Sequence, residues 1–468
     1  MSGENSRQWW IPSGLSVVLL SVLVVVPFLF SPTPLEEQSN GRFDVSALDF
    51  SRGTTVSLHG HWTGIVGELI LSDTATGQEL AVPGEYSPSD ASLLTVWTTL
   101  EVNPNAPPTG IFLPGVNSSQ RIFVAIDGGE PEVIAESGVV SDSIVRTIPS
   151  YYRTVAKIPP ARNSIRIYIH IANQHYPRLS IWDAPIIGDY ENLVSRRHGR
   201  LLLDAMLMGV FLFLALYFLR IFHGRENKLA LVPFGLTCLL MSLRVFSTGP
   251  AADFFLANIT MADFNFRWRL DYIGIVLAAP LYALHLASVF QIDWFRRVAI
   301  AGIGFGLLAV LGVLTFDPAE FAQLLRPLEA VLLLIGFAII GLTVDAVRRA
   351  HPQGRDYLWV NLSLIAAFFH DILLSFNLFA SIQISHYVFS GVLILLGNQL
   401  AHRFLNALMM SEDLSRTLQA RVSKQTEALE RRALESEALR KQAETGLNSL
   451  TKLAEQRMHF FQTISHEL

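Results

Sequence analysis

From Leu229 to Ser423 the chain has no lysine. That stretch offers no primary amine for a Schiff base, which excludes a retinal receptor. There is one cysteine, Cys238, inside an apolar run, which excludes an intrachain disulfide and a thiolate metal cluster. Charge is scarce as well. Only 16% of the 468 residues are charged while 51% are hydrophobic, too apolar for a soluble protein of this size, so long runs must lie in lipid. The net charge of -5 lacks the basic excess of a nucleic-acid binder, and no nucleic-acid partner is expected.

Residues 1–32 hold a polar start with Arg7 as its one basic side chain and an apolar run, Leu15–Phe30, containing Pro27. The run is short for a span, which favours a signal peptide, yet no Ala-x-Ala-like site follows, which favours an N-terminal membrane anchor. Both send the next segment out of the cytoplasm.

Residues 43–192 change character to short alternating runs separated by Gly, Pro, Asn and Ser. In Ser164–Ala172, Ile165, Ile167, Ile169 and Ile171 share one face and Arg166, Tyr168 and His170 the other, which predicts a half-buried strand. Leu93–Val102, Arg121–Ile126 and Tyr151–Ile158 read similarly, bounded by turns such as Asp127-Gly128-Gly129 and Pro159-Pro160. Strands without a long helical period predict an all-β sandwich. Trp62, Trp97, Trp182, Tyr151 and Tyr152 would serve either as core or as a stacking platform for a ligand.

Residues 200–404 contain seven apolar runs: Leu201–Phe222, Leu229–Phe246, Ile273–Phe290, Val298–Phe316, Leu328–Val344, Tyr357–Phe379 and Ile382–Phe404. Each is near the length that crosses the hydrocarbon core, and Tyr217, Trp268, Trp294 and Trp359 lie near their ends. One set of connections carries Arg220, Arg225, Lys228, Arg296, Arg297, Arg348, Arg349 and Arg355, the other only Arg267, Arg269 and Arg326. Positive charge favours the cytoplasmic side, so the sandwich is expected outside and the C-terminus inside. Asp204, Arg244, His285, Asp345, His370, Asp371 and His386 fall inside the runs, with the His370-Asp371 pair mid-span. Such residues either mark a ligand or proton site or bond helix to helix.

Residues 405–458 are charged, free of proline and helical in pattern. Leu418, Val422, Leu429, Leu439, Ala443, Leu450, Leu453, Phe460 and Ile464 fill nine of fourteen positions spaced alternately four and three apart. Gln425, Arg432, Ser436, Gly446 and Arg457 interrupt them. The pattern predicts either an imperfect two-stranded coiled coil or a solvated helix with incidental leucines. Residues 459–468 end in Ser465-His466-Glu467-Leu468. A neutral imidazole is a nitrogen nucleophile near neutral pH, and an adjacent carboxylate can accept its proton or hold its tautomer. A solvated His-Glu pair is the plainer reading of the same residues.

Two resemblances bear on the choice. Gly60-His61-Trp62, Val124-Ala125-Ile126-Asp127-Gly128, Ile169-His170-Ile171-Ala172-Asn173 and Pro185-Ile186-Ile187-Gly188, followed by apolar runs, resemble the bacterial seven-transmembrane receptors with diverse intracellular signalling modules. Ser465-His466-Glu467-Leu468 resembles the H-box of sensor histidine kinases. Together they imply a multi-domain membrane protein with an all-β jelly-roll sensor, a seven-helix transmembrane bundle and a long α-helical coiled coil. They also imply a two-component receptor in the bacterial inner membrane, with His466 as phospho-acceptor and Glu467 as proton acceptor or orienter. Its ligand would be a small molecule, with a carbohydrate as one candidate. It would be a homodimer through the coiled coil, use ATP and Mg2+, and pass its phosphoryl group to a response regulator receiver domain. In that family the H-box continues with Arg-Thr-Pro, a second helix and an ATP-binding domain, whereas the sequence stops at Leu468. Residues 459–468 therefore read as the truncated start of a phospho-acceptor domain, with an acceptor and no catalyst. The rival expectation is a transporter or channel with an accessory extracytoplasmic β domain.

Overall fold

Apolar alternation produces two long strands that pair antiparallel over their whole length, Leu93–Val102 with Ser164–Ala172, Ser164 facing Glu101 and Ala172 facing Leu93. The computed structural model in which they are seen describes residues 33–34, 41–72, 75–86, 92–221, 228–256, 260–351, 354–375 and 384–467. The N-terminal apolar run Leu15–Phe30 lies outside the described residues. The chain divides into two compact units, Met1–Leu395 and Leu396–Leu468.

The first unit opens with two facing sheets. The larger has the order Glu132–Ser137, Ser119–Ile126, Ser164–Ala172, Leu93–Val102, Gly60–Val66 and Gln78–Val82, with Arg42–Val45 parallel to the end of Leu93–Val102. The smaller has the order Thr33–Pro34, Thr55–Ser57, Ile186–Gly188, Gly110–Leu113 and Thr154–Lys157. Ile165, Ile167, Ile169 and Ile171, each no more than 2% exposed, share one core with Trp62, Phe43, Ile111 and Ile187. The sandwich-like arrangement expected from the alternation is present.

Ser164–Ala172 is not half-buried. Its second face is also covered, because Tyr168 packs with Phe123, Ala125 and Trp97, and His170 Nε2 lies 3.1 Å from the Ile70 carbonyl. Burial lowers the His170 pKa, the bond to Ile70 opposes the shift, and the Arg121 charge adds to it. At the Asp127-Gly128 turn, Asp127 and Gly128 take positive φ. The Asp127 carboxylate accepts from the amides of Ser164, Arg162 and Asn163, which hold its pKa below the usual range. A residue quoted for its resemblance thus has a structural task, fastening two neighbouring strands.

The helices follow, numbered in chain order: α1 Tyr190–Ile221, α2 Lys228–Thr248, α3 Pro250–Phe255, α4 Met261–Val289, α5 Asp293–Thr315, α6 Pro318–Phe321, α7 Leu325–Arg348, α8 Gly354–Ser375 and α9 Ser385–Glu467. Six of them, α1, α2, α4, α5, α7 and α8, are long and apolar enough to cross a membrane, and Ser385–Gly397 at the start of α9 is a shorter apolar stretch. Two helices begin well before their apolar runs. The first starts at Tyr190, so the expected break between residues 192 and 200 falls inside one helix. The other is α4, whose start at Met261 is set by a capping box in which Thr260 and Asp263 bond each other's backbone amides. Arg267 and Arg269 are therefore helical, not loop residues.

Within the second unit, the described side chains from Leu405 to Phe461 are all exposed.

Candidate signal-transmission site

The first turn of α1 grows out of a central strand of the smaller sheet, Ile186–Gly188. Asp189 accepts from the Asn192 amide at 3.1 Å, as an N-cap does, and also from Thr109 Oγ1 at 3.1 Å. Asn192 Nδ2 donates to the Gly53 carbonyl at 2.6 Å, Arg196 donates to Thr55 Oγ1, and Lys157 lies over the Tyr190 ring. A Cβ at Gly110 would come 2.8 Å from the Tyr190 Cα, so strand and helix touch backbone to backbone. These contacts fasten the first turns of α1 directly to the smaller sheet.

A second attachment is made by two arginines reaching in opposite directions. Arg153 of the β domain donates to the Thr248 carbonyl at 2.8 Å, while Arg267 of α4 donates to the Tyr151 carbonyl at 2.9 Å. Both face Asp253 of α3, at 3.5 Å from Arg153 and 2.6 Å from Arg267. Arg267 also donates to the carbonyls of Ser247 and Gly249. The Tyr151 ring lies under both guanidinium groups, at 5.1 and 4.7 Å. Burial pulls the Arg153 pKa down, but Tyr151, Asp253, Asp183 and Asp204 outweigh it and raise it, so Arg153 stays charged. Tyr176 stacks near Trp268 at 5.0 Å, continuing the contact along α4.

Further into the bundle Arg244 donates to Asp271 at 3.1 Å, joining α2 to α4. Asp204 of α1 is 5% exposed, and its Oδ1 has no hydrogen-bond partner among the described residues. The His370-Asp371 pair, expected mid-span, lies on α8, and residues 376–383 beyond it lie outside the described residues. His370 Nδ1 is 2.9 Å from Asp371 Oδ1, and the carboxylate accepts from the Ile384 and Ser385 amides, each at 2.9 Å. Asp371 thus caps α9. Nearer the opposite end, Tyr282 donates to Asn361 at 2.8 Å and Asn361 donates to Thr343 at 3.0 Å, tying α4, α8 and α7 together. His285 is fully buried near Phe234, Tyr282 and Tyr357, and Asp345 pairs with Arg349 at a partly exposed helix end. Of the polar residues singled out inside the apolar runs, Arg244 and Asp371 bond one helix to another.

Four of the five aromatics, Trp62, Trp97, Tyr151 and Tyr152, do not form one platform. Trp62 is core and donates to the Leu58 carbonyl, Trp97 lies on the outer sheet face beside Tyr168, and Tyr151 and Tyr152 sit against Arg267 and Arg197 at the base of the domain. The backbone of His466 and Glu467 is helical, completing α9. Their side chains, and Leu468, lie outside the described residues. Among the described residues no group of three or more His, Cys, Asp or Glu could hold a metal ion. Sequence reasoning missed Asp253, Arg153 and Arg267. The Thr260-x-x-Asp263 box was the available signal, since it starts the helix early enough to bring Arg267 inside it.

A folded β domain fastened to one end of a bundle of apolar, membrane-length helices fits a multi-pass membrane protein. A family model described as 7TM diverse intracellular signalling matches residues 200–401. That family is a membrane receptor domain linked to intracellular signalling, and with its apolar helices and preceding all-β domain the chain fits a receptor of this kind. No curated protein matches the chain.

Proposed function

We propose that this chain is the input and transmission part of a two-component receptor. The β domain, a jelly roll outside the cytoplasm of a bacterial cell, binds a small molecule. The bundle carries the change through the inner membrane, and α9 presents His466 inside the cell. ATP and Mg2+ come with a separate catalytic domain. A nitrogen of the His466 imidazole attacks the γ-phosphorus, ADP leaves, and Glu467 accepts the ring proton or holds the tautomer that exposes the attacking nitrogen. The phosphoryl group then passes to an aspartate of a receiver domain.

The observation that carries this reading is that Ser465-His466-Glu467 lies on one unbroken helix that starts at Ser385, where Asp371 caps it. Leu418, Val422, Leu429, Leu439, Leu450, Leu453 and Phe460 are 52–66% exposed along it. A second copy in parallel would cover them as a coiled coil. The test is trans-phosphorylation by a related kinase catalytic domain with labelled ATP. Acid-labile label is expected on the chain and absent in His466→Ala, and equal labelling of both proteins would refute the assignment. A transporter or channel is the second reading, favoured by the intramembrane Arg244–Asp271 and His370–Asp371 pairs. Solute flux through proteoliposomes of the His466→Ala protein would support it.

A further inference from the structure

The loop Ser141–Thr147 displays two adjacent apolar side chains to the outside: Ile144 is 57% exposed and Val145 88%. The loop is firmly held. The Arg146 and Thr147 amides both donate to the Ser143 carbonyl, Thr147 Oγ1 donates to the Ser141 carbonyl at 3.0 Å, and Gln174 Nε2 donates to the Asp142 carbonyl at 2.9 Å. His175 Nε2 lies 3.1 Å from the Thr147 carbonyl. A stiff loop holding an apolar pair in water has no benefit to folding, but it lowers the ordering cost of binding.

Its place in the fold indicates what it meets. Ser137 pairs with Gln120 and Ala172 with Ser119, so these strand ends lie at one end of the larger sheet. The loop follows Ser137, and the segment Gln174–Tyr176 that braces it follows Ala172. Tyr176 is also the residue that packs on Trp268 and Tyr272 of the bundle. The loop therefore emerges at the end of the β domain that sits on the helices. There α4 has 29 residues, about 43 Å at ~1.5 Å per residue against a hydrocarbon core of about 30 Å, so its first turns rise into the interface. Phe254, Phe255 and Phe266 are more than half exposed at this level, as apolar side chains facing lipid are. Next to Ile144 and Val145, Asp142 and Arg146 pair at 3.0 Å and are both mostly exposed, a neutral couple suited to a zwitterionic headgroup.

We propose that the Ile144–Val145 tip docks the β domain onto the phospholipid interface beside the bundle. The two side chains enter the boundary between headgroups and acyl chains, and the Asp142–Arg146 pair stays among the headgroups. The lipid then forms a third attachment of the domain, after α1 and the arginine clamp, and one that bilayer composition can alter.

The natural chain simplifies the test, since Cys238 is fully buried and a maleimide dye will label an introduced exposed cysteine. Val145→Cys carries an environment-sensitive fluorophore in the full chain, reconstituted in phosphatidylcholine nanodiscs with or without acyl-chain bromine. Val133→Cys is the control, an exposed valine near the other end of the same sheet, where Val133 pairs with Phe123. Short-wavelength emission at 145, quenched about twofold or more by bromine, is expected, with the dye at 133 unaffected. Ile144→Cys should repeat the result at 145. Water-like emission at 145 and 133 alike would overturn the proposal. So would short-wavelength emission at 145 that bromine does not quench, which would mean that protein covers the tip instead.

Discussion

Arg267 and Arg440 each pair with a carboxylate, and the two pairs have almost nothing else in common. Arg267 lies 2.6 Å from Asp253 with side chains 3% and 0% exposed, whereas Arg440 lies 3.5 Å from Glu444 with side chains 74% and 61% exposed. The first pair has lost its water, so each charge depends on its partner, and Arg267 also on the carbonyls of Ser247, Gly249 and Tyr151 around it. The second keeps its water and gains little from the contact. At the junction, charges are used where they fasten the β domain to the helices. Along α9 they coat a helix whose leucines are exposed.

Replacing Arg267 by Met should break the comparison most strongly. Asp253 would remain buried with only Arg153 near it, a loss of about 3–5 kcal/mol, measured as a lowered thermal midpoint of the full chain in detergent. Adding Asp253→Leu should recover part of the loss, because the deficit comes from the unpaired charge. Asn361→Leu tests whether a neutral buried group behaves similarly. It leaves the Tyr282 hydroxyl without its acceptor, at an expected cost of about 1–3 kcal/mol in the same measurement. Arg440→Ala sharpens the contrast from the other side, with an expected change within about 0.5 kcal/mol. An Arg267→Met midpoint as close to that of the unaltered protein as the Arg440→Ala midpoint would mean that the clamp is ornamental.

Much of the architecture was legible in residue order. Leu93–Val102 and Ser164–Ala172 appear as strands with the bounds their alternation predicts, because a period of two with β-branched residues has few other ways to bury itself. The apolar runs read as membrane helices because a stretch of that length and composition has few alternatives to lipid. Helix starts were less legible. Hydropathy follows the lipid-facing middle of a span, whereas Tyr190 and Met261 begin their helices through caps and contacts with the β domain.

By itself the sequence determined the element types, the membrane class and the helical state of Ser465-His466-Glu467, since each depends on local periodicity or adjacent residues. Only the tertiary structure decided that Arg153, Asp253 and Arg267 form one clamp and that Asp371 caps α9. Those contacts join residues up to 116 positions apart, as between Tyr151 and Arg267, and no spacing rule foretells which buried charge will find which. The reason is physical: the cost of removing a charge from water is known from its type, but the groups that offset it are chosen by how sheets and helices pack.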